Sequence, residues 1–117
     1  MKRVLIVDDV ADIVDILKIV LQKEYEVQHC TRAEEILPAI QRFQPHVMLL
    51  DNQMGAHKAG DIVAGLRQQI PGFSLPFIIF TGSMDAAAIA EETGAAGYIE
   101  KPSDINYIRE YIGKVLS

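Results

Sequence analysis

The chain has 117 residues, of which half are apolar and 23% are charged, a composition typical of one globular domain with a sizeable core. Its net charge of −5 argues against direct binding of nucleic acid, and its single cysteine, Cys30, excludes an internal disulfide and fits the reducing cytoplasm. The first apolar run ends at Asp8, too early for a signal peptide or a membrane span. We therefore expect a cytoplasmic domain that contacts neither membrane nor nucleic acid directly.

Short apolar runs alternate with helical patterns along the chain. The runs 4–7, 47–50 and 77–80 are apolar throughout, which is typical of buried strands in a parallel sheet. The alternating segment 25–30 predicts a half-exposed edge strand, and the short segment 97–100 predicts a fifth strand. These five strands are the predicted framework of the sheet.

An amphipathic helix is predicted after each strand. In the first helix the predicted buried stripe is Ile13, Ile16, Leu17, Val20 and Leu21. The second helix opens with a capping box over 31–34 and contains Pro38, which is expected to kink it. Helical patterns over 62–70, 84–93 and 105–116 complete the set.

Five βα units in succession predict a single α/β domain over residues 1–117, with no output domain within that length. The apolar first, third and fourth strands should lie at the centre of the sheet, and the second and fifth at its edges. That arrangement gives a doubly wound parallel sheet of strand order 2-1-3-4-5, with a crevice between the first and third strands.

Polar residues follow the strands at the points where they end. Asp8 and Asp9 follow the first strand, Asp51 the third, Thr81 the fourth and Lys101 the fifth. The carboxyl ends of parallel strands meet in one crevice, so three carboxylates, a hydroxyl and an ammonium should converge there. Three close carboxylates repel one another unless a hard cation such as Mg²⁺ neutralises them. Beside such a cation, Asp51 could act as a nucleophile and form an acyl phosphate.

With these motifs the chain resembles, over its whole length, the receiver domain of two-component response regulators. The resemblance rests on the acid pair after the first apolar run, the stretch 49–54 around Asp51, the segment 80–82 and the segment 98–102. It implies a flavodoxin-like fold and a phosphorelay function. In that function Asp51 accepts a phosphoryl group from a histidine kinase or a histidine phosphotransfer protein. Such a domain promotes its own phosphorylation and dephosphorylation and is not otherwise an enzyme.

The resemblance also implies roles for the other acids of the crevice. Asp9 and Asp51 correspond to direct Mg²⁺ ligands, together with the backbone carbonyl of Gln53. Asp8 corresponds to a residue that acts on the metal through water. Mg²⁺ is therefore the expected cofactor.

Thr81 and Lys101 correspond to the pair that grips the phosphoryl group and relays the change. The bond between Lys101 and Pro102 is a candidate cis peptide. Tyr98 matches the switch aromatic of the family, although an ordinary strand position explains it equally well. The implied docking surface for a downstream protein, or for a second copy in a homodimer, is the face of the fourth helix, fifth strand and fifth helix. Candidate positions on that face are Tyr98, Tyr107, Arg109 and Tyr111.

One loop departs from the family pattern. Gly55 stands where a proline is usual, and Gly60, which should open the next helix, comes one residue late. The segment 55–59 is therefore expected to be longer and more flexible than usual. The rate of phosphorylation and the fit to a kinase depend on that segment.

This chain lacks the motifs of other classes of protein that share the predicted fold or a similar site. A flavin or dinucleotide site needs a phosphate-binding loop after the first strand, where Asp8 and Asp9 would repel a phosphate. An aspartate-nucleophile phosphatase needs an Asp-x-Asp pattern, which is absent. The alternative that remains is a phosphorylation-independent interaction module with the receiver fold. The intact Asp51, Thr81 and Lys101 argue against that module, whereas the irregular loop allows it.

Overall fold

A computed structural model describes residues 1–101 and 103–117, and within these ranges the chain forms seven strands and five α-helices. The strands are β1 (Arg3–Val7), β2 (Glu26–Cys30), β3 (Val47–Asp51), β4 (Gln53–Met54), β5 (His57–Lys58), β6 (Phe77–Thr81) and β7 (Gly97–Glu100). The helices are α1 (Ala11–Leu21), α2 (Ile36–Phe43), α3 (Ala59–Gln69), α4 (Ala86–Thr93) and α5 (Ile105–Leu116), and a 3-10 turn over Ala33–Glu35 precedes α2. The candidate cis peptide involves residue 102 and lies outside the described residues.

The main sheet is parallel, with strand order β2-β1-β3-β6-β7. This confirms the predicted order 2-1-3-4-5, because β4 and β5 form a separate two-stranded hairpin. In the register of the sheet, Val7 pairs with Leu50, and Asp51 pairs with Phe80. Consequently, β1, β3 and β6 end at nearly the same level, which brings the residues that follow them to one edge.

The core has two layers, one on each face of the sheet. Side chains alternate between the faces along each strand, so each strand contributes to both layers. One layer packs under α2, α3 and α4 and includes Leu5, Val7, Met48, Leu50 and Ile79. The other packs under α1 and α5 and includes Val4, Ile6, Leu49, Ile78 and Phe80. Burial of β1, β3 and β6 on both faces confirms that they are the central strands.

The predicted stripe of α1 was wrong in part. The buried residues are Val14, Leu17 and Leu21, whereas Ile16 is 50% exposed. Apolar residues occupy more than one face of this helix, so two stripes fit the helical period almost equally well. Packing against the sheet, rather than periodicity, selects the stripe that contains Val14.

The start of α2 also differs from the prediction. The carboxylate that caps it belongs to Glu35, whose Oε1 accepts hydrogen bonds from the backbone N–H groups of Thr31 (3.2 Å) and Arg32 (3.1 Å). Pro38 is the third residue of α2, in its first turn, where the N–H groups have no acceptor within α2, so the expected cause of a kink within α2 is absent. Since Pro38 has no N–H, the preceding turn cannot close with an α-helical hydrogen bond, and it is a 3-10 turn.

None of the helices in the described ranges is long and apolar enough to cross a membrane.

Candidate functional site

The three predicted acids converge at the carboxyl edge of the sheet. One carboxylate oxygen from each of Asp8, Asp9 and Asp51 lies within 4.8 Å of the other two. Asp8 is fully buried and Asp51 is 7% exposed, whereas Asp9 is exposed to solvent. The cluster is thus a crevice with a buried floor and an open side, and we call it the acid crevice.

Asp8 and Lys101 form an ion pair at the floor of the acid crevice. Asp8 Oδ1 accepts a hydrogen bond from the backbone N–H of Val10 (2.9 Å), and Asp8 Oδ2 accepts one from Lys101 Nζ (2.8 Å). The same ammonium lies 3.6 Å from Asp51 Oδ1 and 4.7 Å from the centre of the Phe80 ring. Lys101 therefore binds Asp8 more closely than Asp51, and one ammonium serves two buried carboxylates.

The Asp51 carboxyl is held in an environment that disfavours its charged form. Burial raises its pKa to about 6, although Lys101 acts to lower the pKa and Asp8 acts to raise it further. Burial thus outweighs the nearby ammonium. The carboxylate is ionised at neutral pH but is poorly compensated, so an additional cation would stabilise it.

Thr81 and Lys101 are joined through the backbone beside the acids. Thr81 is the last residue of β6 and is buried. Its Oγ1 accepts a hydrogen bond from the backbone N–H of Ser83 (3.1 Å), and its carbonyl accepts one from the backbone N–H of Lys101 (2.8 Å). A hydroxyl that accepts in this way can still donate its own hydrogen to an incoming oxygen.

The donor set of the acid crevice fits a hard divalent cation. All three side chains offer carboxylate oxygens, which Mg²⁺ and Ca²⁺ prefer. The raised pKa of Asp51, caused first by its burial, indicates that the charged form of this carboxyl is poorly stabilised, and such an ion would stabilise it. Asp9 is the exposed member, so a cation would enter from its side.

The comparisons with known proteins agree with this geometry. The sequence model of the response regulator receiver domain matches residues 4–113, which is nearly the entire chain. The chain belongs to the response regulator receiver family.

Relatives of this receiver extend well beyond it in length. An uncharacterized response regulatory protein of Yersinia pestis is 37% identical over 108 residues, which are 89% of this chain and 44% of that protein. Response regulator protein PilR of Pseudomonas aeruginosa is 28% identical over 116 residues, which are 98% of this chain and 26% of that protein. The chain thus spans less than half the length of these two relatives.

Solved structures share the fold over the full chain. A CheY-like receiver domain protein of Methanospirillum hungatei is 29% identical with a TM-score of 0.85, and covers 99% of this chain and 94% of its own. Chemotaxis protein CheY4 of Vibrio cholerae is 26% identical with a TM-score of 0.88, and covers 99% of both chains. The predicted flavodoxin-like receiver fold is confirmed.

The segment expected to be a flexible loop is instead a hairpin. Strands β4 and β5 pair antiparallel around a two-residue turn, Gly55-Ala56, in which Gly55 has φ 60°. Met54 is 2% exposed and anchors the hairpin in the core. A glycine in the first position of a two-residue loop is the sequence signal of a type II′ turn, and it could have predicted this hairpin.

Tyr98 lies outside the acid crevice, at the outer edge of β7, with 36% of its surface exposed. Its backbone N–H donates to the hydroxyl of Tyr111 on α5 (3.2 Å). Arg109, expected on the same face, instead pairs with Glu24 near the end of α1 (3.4 Å). The tyrosines therefore share one face of the receiver, and Arg109 points to another.

Proposed function

We propose that this receiver accepts a phosphoryl group on Asp51 from the phosphohistidine of a histidine kinase or a histidine phosphotransfer protein. The observation that carries the proposal is the convergence of Asp51 with two further acids and Lys101 in one crevice. The alternative, a phosphorylation-independent module, gives no reason to bury Asp51 in an environment that raises its pKa.

The chemistry follows from the groups in the acid crevice. A carboxylate oxygen of Asp51 attacks phosphorus, and the bond from phosphorus to the donor histidine nitrogen breaks. The electron pair of that bond returns to the imidazole, and Asp51 becomes an acyl phosphate. Lys101 supplies positive charge, and the Thr81 hydroxyl supplies a donor, to the oxygens of the transferred group.

We assign Mg²⁺ to the acid crevice as the required cofactor. Asp9, Asp51 and the backbone carbonyl of Gln53 would hold it directly, and Asp8 would act through water because both of its oxygens already accept hydrogen bonds. The ion would offset the charge that gathers on the phosphoryl oxygens during transfer. A compensating cation would also favour the ionised, nucleophilic form of Asp51.

A partner that donates the phosphoryl group must reach Asp51 past α1. Val10, Ile16 and Ile19 are 45%, 50% and 67% exposed, which leaves an apolar surface next to the acid crevice. An apolar groove of about 270 Å³ between α1 and α5 continues this surface, and Lys101 forms part of its lining. We assign the surface to the phosphodonor protein because it is continuous with the acid crevice.

Phosphorylation would shift an existing equilibrium between two surface states. Thr81 would move toward the phosphoryl group, and its backbone bond to Lys101 would carry the change into β7. Tyr98, three residues before Lys101, would turn inward as Thr81 moves. The face formed by α4, β7 and α5 would then bind a downstream protein or a second copy of the receiver.

The test is phosphorylation by a small acyl-phosphate donor, read by intact mass with and without Mg²⁺. We expect a gain of one phosphoryl group that requires Mg²⁺ and is lost in Asp51→Asn. Asp15→Asn is the matched control, since it makes the same change on the exposed face of α1 and should retain the gain. If the wild-type chain gains nothing while it remains folded, the phosphorylation-independent module is the better account.

A further inference from the structure

The two edges of β4 face different partners. The backbone N–H of Ala59 donates to the carbonyl of Asn52 (2.8 Å), so this pair is hydrogen-bonded across the hairpin. Pairs in an antiparallel ladder alternate between bonded and non-bonded. Gln53 and Lys58 are therefore a non-bonded pair, and the N–H and carbonyl of Gln53 leave β4 on the edge away from β5.

The outer edge of β4 faces the acid crevice. The backbone N–H of Gln53 lies 3.5 Å from Asp51 Oδ1 and donates to it. Two residues later, the N–H of Gly55 lies 3.4 Å from Asp9 Oδ2 and donates to it. In a strand, the N–H and carbonyl of one residue lie on the same edge, so the Gln53 carbonyl shares the edge that meets these two carboxylates.

We propose that the hairpin of β4 and β5 positions the cation site of this receiver. Its register presents the Gln53 carbonyl to the crevice and gives Asp9 an outer hydrogen-bond partner in the N–H of Gly55. The inference rests on the proposed function, which places Mg²⁺ at these groups. It goes further, because it assigns a purpose to the segment that departs from the family pattern.

The hairpin is built to hold this register. Met54 is anchored in the core, and the Gln53 side-chain amide donates to the carbonyl of Gly55 (2.6 Å) and closes the turn. A slip of one residue would turn the other edge of β4 toward the acids. A proline in place of Gly55 would remove the N–H that Asp9 accepts, so the glycine supplies a donor that the usual residue lacks.

Two substitutions at Gly55 distinguish the effect of the turn conformation from the effect of adding a side chain. Gly55→Val strains the turn strongly because a β-branched residue rarely adopts φ 60°. Gly55→Asn strains it less, since asparagine is enriched at positive φ, and both variants keep the N–H. A Cβ at this position would meet no atom within 4 Å, so the Cβ itself causes no clash and acts through the backbone conformation. Deletion of Ala56, which leaves too few residues for the turn, is a second way to break the register.

The measurement is the dissociation constant of Mg²⁺, from titration followed by backbone amide NMR shifts of the unphosphorylated chain. Loss of an outer partner of a metal ligand typically weakens binding by about 10- to 100-fold. We expect a loss of at least about tenfold in Gly55→Val and in the Ala56 deletion, with Gly55→Asn close to wild type.

The possible outcomes distinguish failure of the positioning role of the hairpin from failure of the proposed function. Unchanged Mg²⁺ affinity in either folded hairpin variant would overturn the positioning role and leave the proposed function standing. Absence of Mg²⁺ binding by the wild-type chain would overturn both. Equal losses in Gly55→Asn and Gly55→Val would also contradict the inference, because only one of them breaks the turn.

Discussion

Two regions of this receiver are built on opposite principles, although both include residues in or next to β7: one includes its first two residues, and the other, the acid crevice, includes Lys101, which follows it. The acid crevice buries charges that are incompletely compensated, with one ammonium between Asp8 and Asp51. The tyrosine edge, formed by Gly97, Tyr98, Tyr107 and Tyr111, is neutral and closely fitted. The rings of Tyr107 and Tyr111, both on α5, have their centres 5.9 Å apart and their planes at 55°, and the Tyr111 ring covers the backbone of Gly97.

The two regions should differ in their effect on stability. A buried carboxylate with a raised pKa lowers the stability of the folded state, and the proposed phosphoryl transfer to Asp51 would explain why such a group is kept. A neutral contact between a ring and a glycine only stabilises. Substitutions should therefore have opposite signs in the two regions: neutralising the acid crevice should stabilise the domain, and disturbing the tyrosine edge should destabilise it.

The largest expected effect comes from Asp51→Asn. The pKa of Asp51 rises from 3.8 to about 6 on folding, which at neutral pH corresponds to about 3 kcal/mol of lost stability. We expect the variant to be more stable than wild type by up to that amount at pH 7. Urea denaturation in the presence of a chelator, which removes any bound cation, measures the difference.

The pH dependence of that difference fixes its cause. The folded state binds the Asp51 proton more tightly than the unfolded state. Folding is therefore accompanied by proton uptake at Asp51 between about pH 4 and pH 6. The wild-type penalty should therefore be complete above the folded pKa and vanish as the pH falls below the unfolded one. A difference between wild type and Asp51→Asn that stays constant from pH 7 to pH 4 would rule out this explanation.

An intermediate effect of opposite sign is expected from Gly97→Ala. An added Cβ would lie 2.8 Å from Cζ of Tyr111 and 2.9 Å from Cε1, too close for any real contact. Forced overpacking of this kind costs about 1 to 3 kcal/mol, measurable as a lower urea midpoint.

Gly65→Ala in α3 is the matched control. A Cβ there would meet nothing within 4 Å, so the same substitution should raise stability by about 0.5 to 1 kcal/mol through helix propensity. If Gly97→Ala and Gly65→Ala shift the urea midpoint in the same direction, the close contact of Tyr111 with Gly97 does not limit which residue can stand at position 97.

The smallest expected effect is that of Tyr111→Phe, which removes only the hydroxyl bonded to the N–H of Tyr98. A hydrogen bond of this kind contributes about 0.5 to 1.5 kcal/mol. Faster hydrogen exchange at the Tyr98 amide is the direct readout. Tyr107→Phe is the control, since Tyr107 is half exposed and packs on Tyr111 through its ring. Equal exchange at Tyr98 in both variants would mean that the Tyr111 hydroxyl does not protect that amide.

The sequence was enough to predict the framework because its signals are local. Uninterrupted apolar runs identified β1, β3 and β6 as central strands, and the polar residue after each strand predicted which side chains would converge. Nothing more than strand order and the shared edge of a parallel sheet was needed to bring Asp8, Asp51 and Lys101 together.

What escaped prediction depends on tertiary contacts or on turn geometry. The buried stripe of α1 was misassigned because apolar residues cover more than one of its faces, and only packing on the sheet selects Val14 over Ile16. The hairpin escaped because two-residue strands have no measurable periodicity. Its one local signal, Gly55 at the start of a two-residue turn, was interpreted as flexibility.

The most direct test of the central claim is to locate the phosphoryl group on the chain. Borohydride reduces an aspartyl phosphate to an alcohol and leaves free carboxylates intact, so it marks the acceptor permanently. After reaction with a small acyl-phosphate donor and Mg²⁺, peptide mass mapping should find the reduced side chain at residue 51 alone. Reduction at Asp8 or Asp9 with residue 51 unmodified would contradict the assignment of the nucleophile, even if the intact protein had gained a phosphoryl group.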